Sequence, residues 1–399
     1  MRANLKMKYN FDEIVSRQNT NSIKYDRRIE IFGRSDVLPM WVADMDFPTP
    51  PFVTETISKR LSQKVLGYTE RSTEYLDAIC RWNKQQYGVE VHPEMISYIP
   101  GVVNGIYLAT QVFSEKGDRI LVHDPVYPPF RRVPETSGRQ MVLSPLQRTK
   151  EGYQMDLDRF RHDIQGCKIF ILCNPHNPGG ICWNIETLRE VAHICYEAGV
   201  LVISDEIHCD LLHQSRKHIP FASVSEEAKE NSITLQACTK TFNLPGVVAA
   251  QAIVYTPRLR NTLFSYIQGS DMDLGNIFAF DCVCACYSPE GLEWKEQLLD
   301  YVGDNIDLLL EELPSICPHI RPIRPQASFL VFLDCREMGF SSQEELVSFF
   351  VQNAKLGLNS GAEFGPSGEG YMRMNLGCTH ATLREALSRL KQATQTLNQ

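Results

Sequence analysis

The chain has 399 residues, enough for two or three domains with sizeable cores. Its hydrophobic content of 43% and charged content of 22% are those of an ordinary soluble globular protein. The net charge of −8 argues against non-specific nucleic-acid binding, which needs a basic surface to neutralise phosphates.

The start of the chain, MRANLKMKYNFDEIVSR, lacks the apolar stretch and cleavage site of a secretory signal peptide. The longest apolar run, VVAAQAIVY (247–255), is too short to span a bilayer. Thirteen cysteines form no regular framework, and a chain of this length does not need disulfides for stability. We therefore expect a cytoplasmic protein with reduced thiols, with no membrane partner and no nucleic-acid partner.

The middle of the chain alternates between short β-branched runs and helical patterns. The runs predict strands at 118–127, 168–175, 200–207, 232–238 and 251–255. Between the second and third, Asn184 is a candidate N-cap and Gly199 a candidate C′ residue. Between these two, the apolar residues at helical spacing are Leu188, Val191, Ala192 and Cys195. This alternation predicts a mostly parallel sheet covered by helices on both faces.

The pattern changes after about residue 290. A long helical stretch (290–316) is followed by a strand (328–335), a helix (341–361), a strand (370–378) and a final helix (381–397). We therefore predict a smaller α+β domain at 289–399 and a large α/β domain at 48–288. An N-terminal segment, 1–47, is expected to pack over the functional site and the small domain.

Three polar groups follow predicted strands at the point where each strand ends. NPHNPGG (174–180) contains Asn177, DEIHCD (205–210) begins with Asp205, and Lys240 comes shortly after SITLQAC. Ligands of open α/β sheets bind beyond the carboxyl ends of the strands, so these side chains could converge on one crevice. Taken singly, each group also has a structural explanation, as a tight turn, a cap or a lysine stem packed on apolar surface.

Together the three groups indicate a specific chemistry. A carboxylate can keep a pyridine nitrogen protonated, an amide can hold a ring oxygen, and an amine can form an imine with an aldehyde. These are the contributions that a protein makes to pyridoxal phosphate (PLP) chemistry.

The same motifs resemble those of the aminotransferase-like, fold-type I PLP enzymes. Six further strings are similar to the cystathionine β-lyase or cysteine C–S lyase branch, which includes cystalysin-like enzymes: LPMWVADMDFPTPP (38–51), LGYTE (66–70), PGVVNGI (100–106), HDPVYPPF (123–130), LDCR (333–336) and GEGYMRMNLGC (368–378). The matches run in order from about residue 10 to the C-terminus. The resemblance implies a fold-type I architecture with PLP as the cofactor.

The resemblance also implies roles at the cofactor ring. Lys240 would bind PLP covalently and remove the Cα proton, Asp205 would pair with the ring nitrogen, and Asn177 would bond the ring oxygen. Tyr127 would stack on the ring, and His208 would lie near the same oxygen.

Further implied contacts concern the phosphate. Backbone N–H groups of Val102 and Val103 at a helix N-terminus would bind it. Thr239, at a position where relatives often carry serine, could add a hydroxyl. Tyr68 would reach the phosphate from a neighbouring subunit, which implies a homodimer.

Two further residues are assigned to the substrate. Arg373 would bind the substrate carboxylate through its planar fork of donors. The backbone around Ala43 would close over the same carboxylate.

The implied activity is a C–S β-lyase that performs α,β-elimination on L-cystathionine or on L-cysteine and its S-substituted relatives. Pyruvate and ammonia would be released with a thiol, which is homocysteine from L-cystathionine and hydrogen sulfide from L-cysteine. Two alternatives stay open: an aminotransferase, which shares all these residues, and a regulatory or interaction protein that retains the fold. No metal site is expected, because Cys282, Cys284 and Cys286 are better explained as small apolar residues in a helix.

Overall fold

A computed structural model describes residues 8–397, so the first seven residues of the predicted N-terminal segment lie outside the described residues. The strands are β1 (Leu38–Pro39), β2 (Ile96–Ile99), β3 (Arg119–Asp124), β4 (Gln140–Pro145), β5 (Gln147–Thr149), β6 (Gly152–Gln154), β7 (Cys167–Cys173), β8 (Leu201–Asp205), β9 (Ser232–Gln236), β10 (Ala250–Ile253), β11 (Arg321–Ile323), β12 (Leu330–Asp334), β13 (Leu356–Gly357), β14 (Asn359–Ser360) and β15 (Tyr371–Asn375).

The α-helices are α1 (Ile23–Asp26), α2 (Arg28–Phe32), α3 (Pro51–Leu61), α4 (Thr73–Tyr87), α5 (Val102–Phe113), α6 (Pro128–Thr136), α7 (Leu157–Asp163), α8 (Ile185–Glu197), α9 (Glu226–Glu230), α10 (Pro257–Gly269), α11 (Ala279–Cys286), α12 (Pro289–Ile316), α13 (Gln343–Ser348) and α14 (His380–Leu397). A π-helical turn over Phe349–Asn353 continues α13. Within the part of the chain that the structure describes, no helix is both long and apolar enough to cross a membrane.

A seven-stranded sheet with the order β2-β10-β9-β8-β7-β3-β4 forms the centre of the molecule. The pairs β9–β8, β8–β7, β7–β3 and β3–β4 are parallel, whereas β10 runs antiparallel to both of its neighbours. The prediction of a mostly parallel sheet is confirmed. The loop that joins β9 to β10 contains no α-helical crossover, and an antiparallel pair needs none.

Both faces of this sheet are buried, as the continuous apolar strands predict. Side chains alternate along each strand, so that Leu121 and Phe170 pack into one hydrophobic cluster while Ile120 and Ile169 pack into another. Helix α8 covers one face and α5 covers the other, each through buried apolar residues.

The predicted caps of α8 are confirmed. The Asn184 side chain accepts a hydrogen bond from Thr187 N at 2.7 Å, and Gly199 has a φ of 65° just beyond the helix. Helix α11 places Cys282 and Cys286 in the core, as small apolar packing requires.

Two strands end earlier than predicted for the same reason. Strand β3 ends at Asp124 and β7 at Cys173, each just before a segment that contains proline. Proline has no N–H to donate to a ladder, so Pro125 and Pro175 cannot extend these pairings. The polar residues that follow therefore lie beyond the carboxyl end of the sheet.

The C-terminal part is built on a second sheet with the order β11-β12-β15-β14, in which all pairs are antiparallel. Helix α12 starts at Pro289 after the N-cap Ser288 and packs against α14. One hydrophobic cluster joins residues of all three predicted segments, including Phe47, Trp82 and Met374. The division of the chain into those segments stays a prediction.

Candidate active site

A cavity of about 220 Å³ lies at the carboxyl end of the large sheet. It is reached by residues that follow the adjacent strands β3, β7, β8 and β9. Its lining includes Ala43, Val102, Val103, Tyr127, Asn177, Asp205, His208 and Lys240. The structure thus brings most of the residues predicted from the sequence to one place.

The Lys240 amine is enclosed at this cavity. Its Nζ donates a hydrogen bond to the carbonyl oxygen of Ala43 at 2.6 Å, and within residues 8–397 it forms no ion pair. Two more deeply buried lysines differ from the partly buried Lys240, since Lys24 pairs with Asp46 at 2.9 Å and Lys295 lies 3.9 Å from Asp210. Burial, followed by the nearby charge of Arg373, lowers the pKa of Lys240 to about 8.

Asp205 is the last residue of β8 and is only 4% exposed. Its Oδ1 accepts a hydrogen bond from Ile207 N at 2.9 Å. Burial raises the pKa of this carboxyl to about 7, because little around it compensates the negative charge. A cationic partner in the cavity would restore the ionised form.

The N-terminus of α5 faces the same cavity. Gly101, the residue before the helix, has a φ of 99°, a conformation that favours glycine over residues with a side chain. The amides of Val102 and Val103 are the first of the helix and have no intrahelical acceptor. Such a helix start attracts anions.

Arg373 lies in the middle of β15 and is 4% exposed. Its guanidinium donates to Asn177 Oδ1 at 3.2 Å, to Asn359 Oδ1 at 2.7 Å and to the Trp41 carbonyl oxygen at 3.1 Å. None of these acceptors is charged, and burial lowers the Arg373 pKa to about 10. Its Nε has no hydrogen-bond partner among the described residues.

The guanidinium of Arg373 also lies 4.7 Å from the ring centre of Phe364. A buried cation held by neutral groups only is costly unless an anion binds to it. This arrangement therefore fits a site for a ligand carboxylate.

The segment 41–47 crosses the site and is held by asparagine side chains. Asn375 Nδ2 donates to the carbonyl oxygens of Val42 and Asp44 at 2.6 and 2.7 Å. Asn243 Nδ2 donates to the carbonyl oxygens of Met45 and Phe47 at 3.0 and 2.7 Å. These contacts fix the Ala43 carbonyl that receives the Lys240 hydrogen bond.

Sequence reasoning missed Asn243, Asn359 and Asn375. A signal existed for Asn375, which follows Arg373 by two residues on one strand and so lies on the same face. Asn359 pairs with Arg373 only across β14 and β15, a register that no local motif encodes.

The remaining predicted residues have varied positions. Tyr127 lines the cavity just before α6, and His208 lines it with an Nδ1 atom that has no partner among the described residues. Burial lowers the His208 pKa to about 3, so its ring is neutral. Thr239 is buried next to Lys240 in the chain but outside the cavity lining. Tyr68 is fully exposed and lines a different surface groove.

Comparison with known proteins decides the family. The family model for aminotransferase class I and II matches residues 35–390. The chain belongs to this family. It is 40% identical to cystathionine β-lyase PatB of Bacillus subtilis (strain 168), over 96% of this chain and 99% of that protein.

Solved structures of family members agree with this result. The structure of a PLP-bound putative aminotransferase from Clostridium difficile 630 matches with a TM-score of 0.94 and 37% identity, covering 96% of this chain and 99% of the other. Cystalysin from Treponema denticola, which contains PLP, matches with a TM-score of 0.93 and 27% identity, covering 98% and 100%. The architecture is therefore fold-type I, and the family depends on PLP.

The donor set of the cavity fits this cofactor. Three groups line the same cavity. Lys240 supplies an amine that can react with an aldehyde, Asp205 a carboxylate for a ring nitrogen, and the N-terminus of α5 backbone amides for a phosphate. The raised pKa of Asp205 is the relevant observation, because a protonated pyridine nitrogen is the kind of cation that would lower it again.

Proposed function

We propose that this chain is a PLP-dependent C–S β-lyase. It would catalyse the α,β-elimination of L-cystathionine and of L-cysteine-type S-substituted amino acids to pyruvate, ammonia and a thiol. The thiol would be homocysteine from L-cystathionine and hydrogen sulfide from L-cysteine itself. The observation that carries the choice of reaction is the 40% identity to a cystathionine β-lyase over nearly the whole of both chains. The cavity supplies the groups that such a reaction needs.

Bound PLP supplies an aldehyde for amino groups and a ring that withdraws electrons from Cα. The Lys240 amine would hold the cofactor and, when free, would accept the proton that leaves Cα. Its pKa of about 8 makes the neutral, basic form accessible near neutral pH. The hydrogen bond to the Ala43 carbonyl, at 2.6 Å, orients the nitrogen lone pair within the site.

Other side chains hold the cofactor ring in its reactive form. Asp205 would pair with the ring nitrogen, and the Asn177 amide would donate to the ring oxygen. The neutral His208 would lie near that oxygen, and Tyr127 would cover the ring face. The support is that all four line one cavity together with Lys240.

The phosphate would bind the amides of Val102 and Val103, with Thr239 as a further hydroxyl donor. Tyr68 would contribute from the neighbouring subunit of a homodimer. The Tyr68 side chain is fully exposed to solvent in its own subunit, and the neighbouring side chains of Val65 and Leu66 are also largely exposed. A second subunit would cover this apolar surface.

Arg373 would bind the substrate carboxylate, and the backbone at Ala43 would close over it. A buried guanidinium with only neutral acceptors supports this role, because substrate binding would supply the missing anion. The carboxylate clamp orients Cα toward Lys240.

We further propose the three-part organisation 1–47, 48–288 and 289–399, with the first part packing over the site and the third part. A cytoplasmic location is proposed from the thirteen free cysteines, since unpaired thiols persist in reducing compartments.

The deciding experiment is pyruvate formation from L-cystathionine by purified protein with PLP and no 2-oxo acid. Sustained pyruvate release supports the β-lyase. An aminotransferase, the competing assignment, would release no pyruvate under these conditions but would transfer the amino group once a 2-oxo acid is added.

A further inference from the structure

Asp124, the last residue of β3, has a buried carboxylate that the proposed mechanism does not use. It is 3% exposed and forms no ion pair within residues 8–397. Its Oδ2 instead accepts hydrogen bonds from Ser367 Oγ at 2.6 Å and from Ser367 N at 3.1 Å. Burial of a carboxylate is costly unless a cation or hydrogen-bond donors compensate it. The contact therefore fixes the position of the loop that contains Ser367.

This loop has the shape that the contact needs. Gly365 has a φ of 130°, a conformation that favours glycine, and a Cβ atom at this position would clash with Asp124 Oδ1. The backbone adds a second contact, since Val126 N donates to the carbonyl oxygen of Phe364 at 2.9 Å. Side-chain and backbone hydrogen bonds thus hold the loop against the end of β3.

The same loop contacts Arg373. We call residues 359–368 the clamp loop. Its Asn359 Oδ1 accepts a hydrogen bond from the guanidinium at 2.7 Å, and the ring centre of its Phe364 lies 4.7 Å from the guanidinium. Glu363, next to Phe364, accepts a hydrogen bond from Asn359 Nδ2 at 3.0 Å. A displacement of the clamp loop would therefore move two groups that touch the buried guanidinium.

The clamp loop is also linked to the cofactor cavity. Tyr127, which lines that cavity, directly follows Val126 in the chain. Asp124 and Val126 therefore fix the clamp loop to the segment that carries the proposed ring contact. A bound amino acid must reach the cofactor with its amine and Arg373 with its carboxylate, so the separation between these two sites affects binding.

We infer that Asp124 is a positioning residue for the substrate carboxylate and acts on Arg373 through Ser367 and the clamp loop. This inference rests on the proposed binding of that carboxylate by Arg373. Asp124 is not among the residues that line the cofactor cavity. Loss of Asp124 should therefore weaken the binding of ligands that have an α-carboxylate and spare amines that lack one.

The test compares L-alanine with ethylamine, which is alanine without its carboxylate. Neither has a leaving group at Cβ, so titration of the holoenzyme, followed by the absorbance of the bound cofactor, gives Kd without turnover. D124N removes the charge and one acceptor oxygen. We expect its Kd for L-alanine to rise about 3- to 30-fold, as for effects transmitted through packed neighbours, and its Kd for ethylamine to stay within about twofold. A general loss of structure would weaken both ligands.

Two further variants assign the effect to this contact. S367A removes only the hydroxyl donor, so the ratio of the L-alanine Kd to the ethylamine Kd should rise less than in D124N. In the double variant the two effects should be less than additive in free energy, because both changes break one contact. D163N is the matched control, since Asp163 is also a buried carboxylate but pairs with Arg159 in α7. It should leave the ratio unchanged.

R373A separates the inference from the function on which it rests. It should weaken L-alanine binding, and adding D124N to it should have no further effect on L-alanine. Unchanged L-alanine binding in R373A would overturn the proposed carboxylate site and this inference with it. If R373A weakens L-alanine binding but D124N changes the ratio no more than D163N, or if D124N and S367A are additive, only the role of Asp124 is overturned.

Discussion

The guanidinium of Arg373 donates to the amide oxygen of Asn177 across a distance of 3.2 Å, joining the small sheet to the loop after β7. Asn177 also lines the cavity, and because Arg373 engages its amide oxygen, its amide nitrogen is the group that would be available to the cofactor. One amide thus connects the proposed substrate clamp with the proposed cofactor contact. Changes at either residue should affect both functions.

Replacing Asn177 with aspartate tests this connection. N177D places a carboxylate beside Arg373, and the substrate carboxylate must then compete with an internal ion pair. We expect KM for L-cystathionine to rise about 10- to 100-fold, equivalent to roughly 1.4–2.7 kcal/mol of lost binding. A KM within twofold of the wild-type value in steady-state assays would show that the contact does not bear on substrate binding.

Removing the guanidinium itself should have a larger effect on binding than on chemistry. R373A loses charge-assisted hydrogen bonds worth roughly 1.5–3 kcal/mol, so KM should rise about 10- to 150-fold with a smaller change in kcat. The matched control is R336A, because Arg336 lies near the same sheet and pairs with Asp334 at the surface. Equal kinetics in the two variants would remove Arg373 from the substrate site.

K240A should abolish pyruvate formation, because no other lysine lines the cofactor cavity in the described part of the chain. The cofactor should then be held by non-covalent contacts alone and be lost on dialysis more readily than from wild type. K295A serves as a control for the removal of a buried lysine, since Lys295 donates to Gln86 Oε1 at 2.6 Å in another part of the core. Wild-type rates in K240A would refute the mechanism.

In the cofactor-free protein, Asp205 should lower the free energy of unfolding by an amount that depends on pH. Its pKa is raised from 3.8 to about 7 in the folded state, so between these values the folded protein binds more protons than the unfolded chain. The free energy of unfolding therefore falls as the pH rises from about 4 to 7, and the full destabilisation by Asp205 is present above pH 7.

D205N removes that titration. The variant should gain stability over the cofactor-free wild type by an amount on the order of 1 kcal/mol or more at pH 8, and by little at pH 4. Urea unfolding of both proteins at the two pH values measures the difference. A stability difference that is independent of pH would mean that Asp205 is not the titrating group.

The proposed exchange of Tyr68 between subunits can be tested by mixing two inactive variants. In a mixed dimer of K240A and Y68A, one site would combine Lys240 of one chain with Tyr68 of the other. Unfolding and refolding the two together should then restore activity to about a quarter of the wild-type sites, as random pairing in a twofold dimer requires. If Tyr68 served its own subunit, neither site would be complete and no activity would return.

The sequence predicted the parts of this site that follow strands directly. Asn177, Asp205 and Lys240 each come after an apolar run, and in a parallel sheet the ends of such runs share one edge. The helix start at Val102 was predictable from a glycine before an apolar pattern. These signals are local in the sequence, and the functional role of each residue was assigned from the family resemblance.

Contacts between distant segments were not predictable in the same way. The pairing of Asn359 with Arg373 depends on the register of β14 and β15, and a strand of two residues has no periodicity to detect. Strand β2, four residues between two prolines at the sheet edge, was missed for a similar reason. Lys240 and the Ala43 carbonyl that it contacts are 197 residues apart in the chain, so only the folded molecule reveals that contact.

The most direct test of the account is to locate the covalent attachment of PLP. Holoenzyme is reduced with borohydride, digested, and mapped by mass spectrometry for the modified lysine. The account predicts a single modification at Lys240, absent from K240A. Modification at another lysine, or none in protein that has bound PLP, would contradict it.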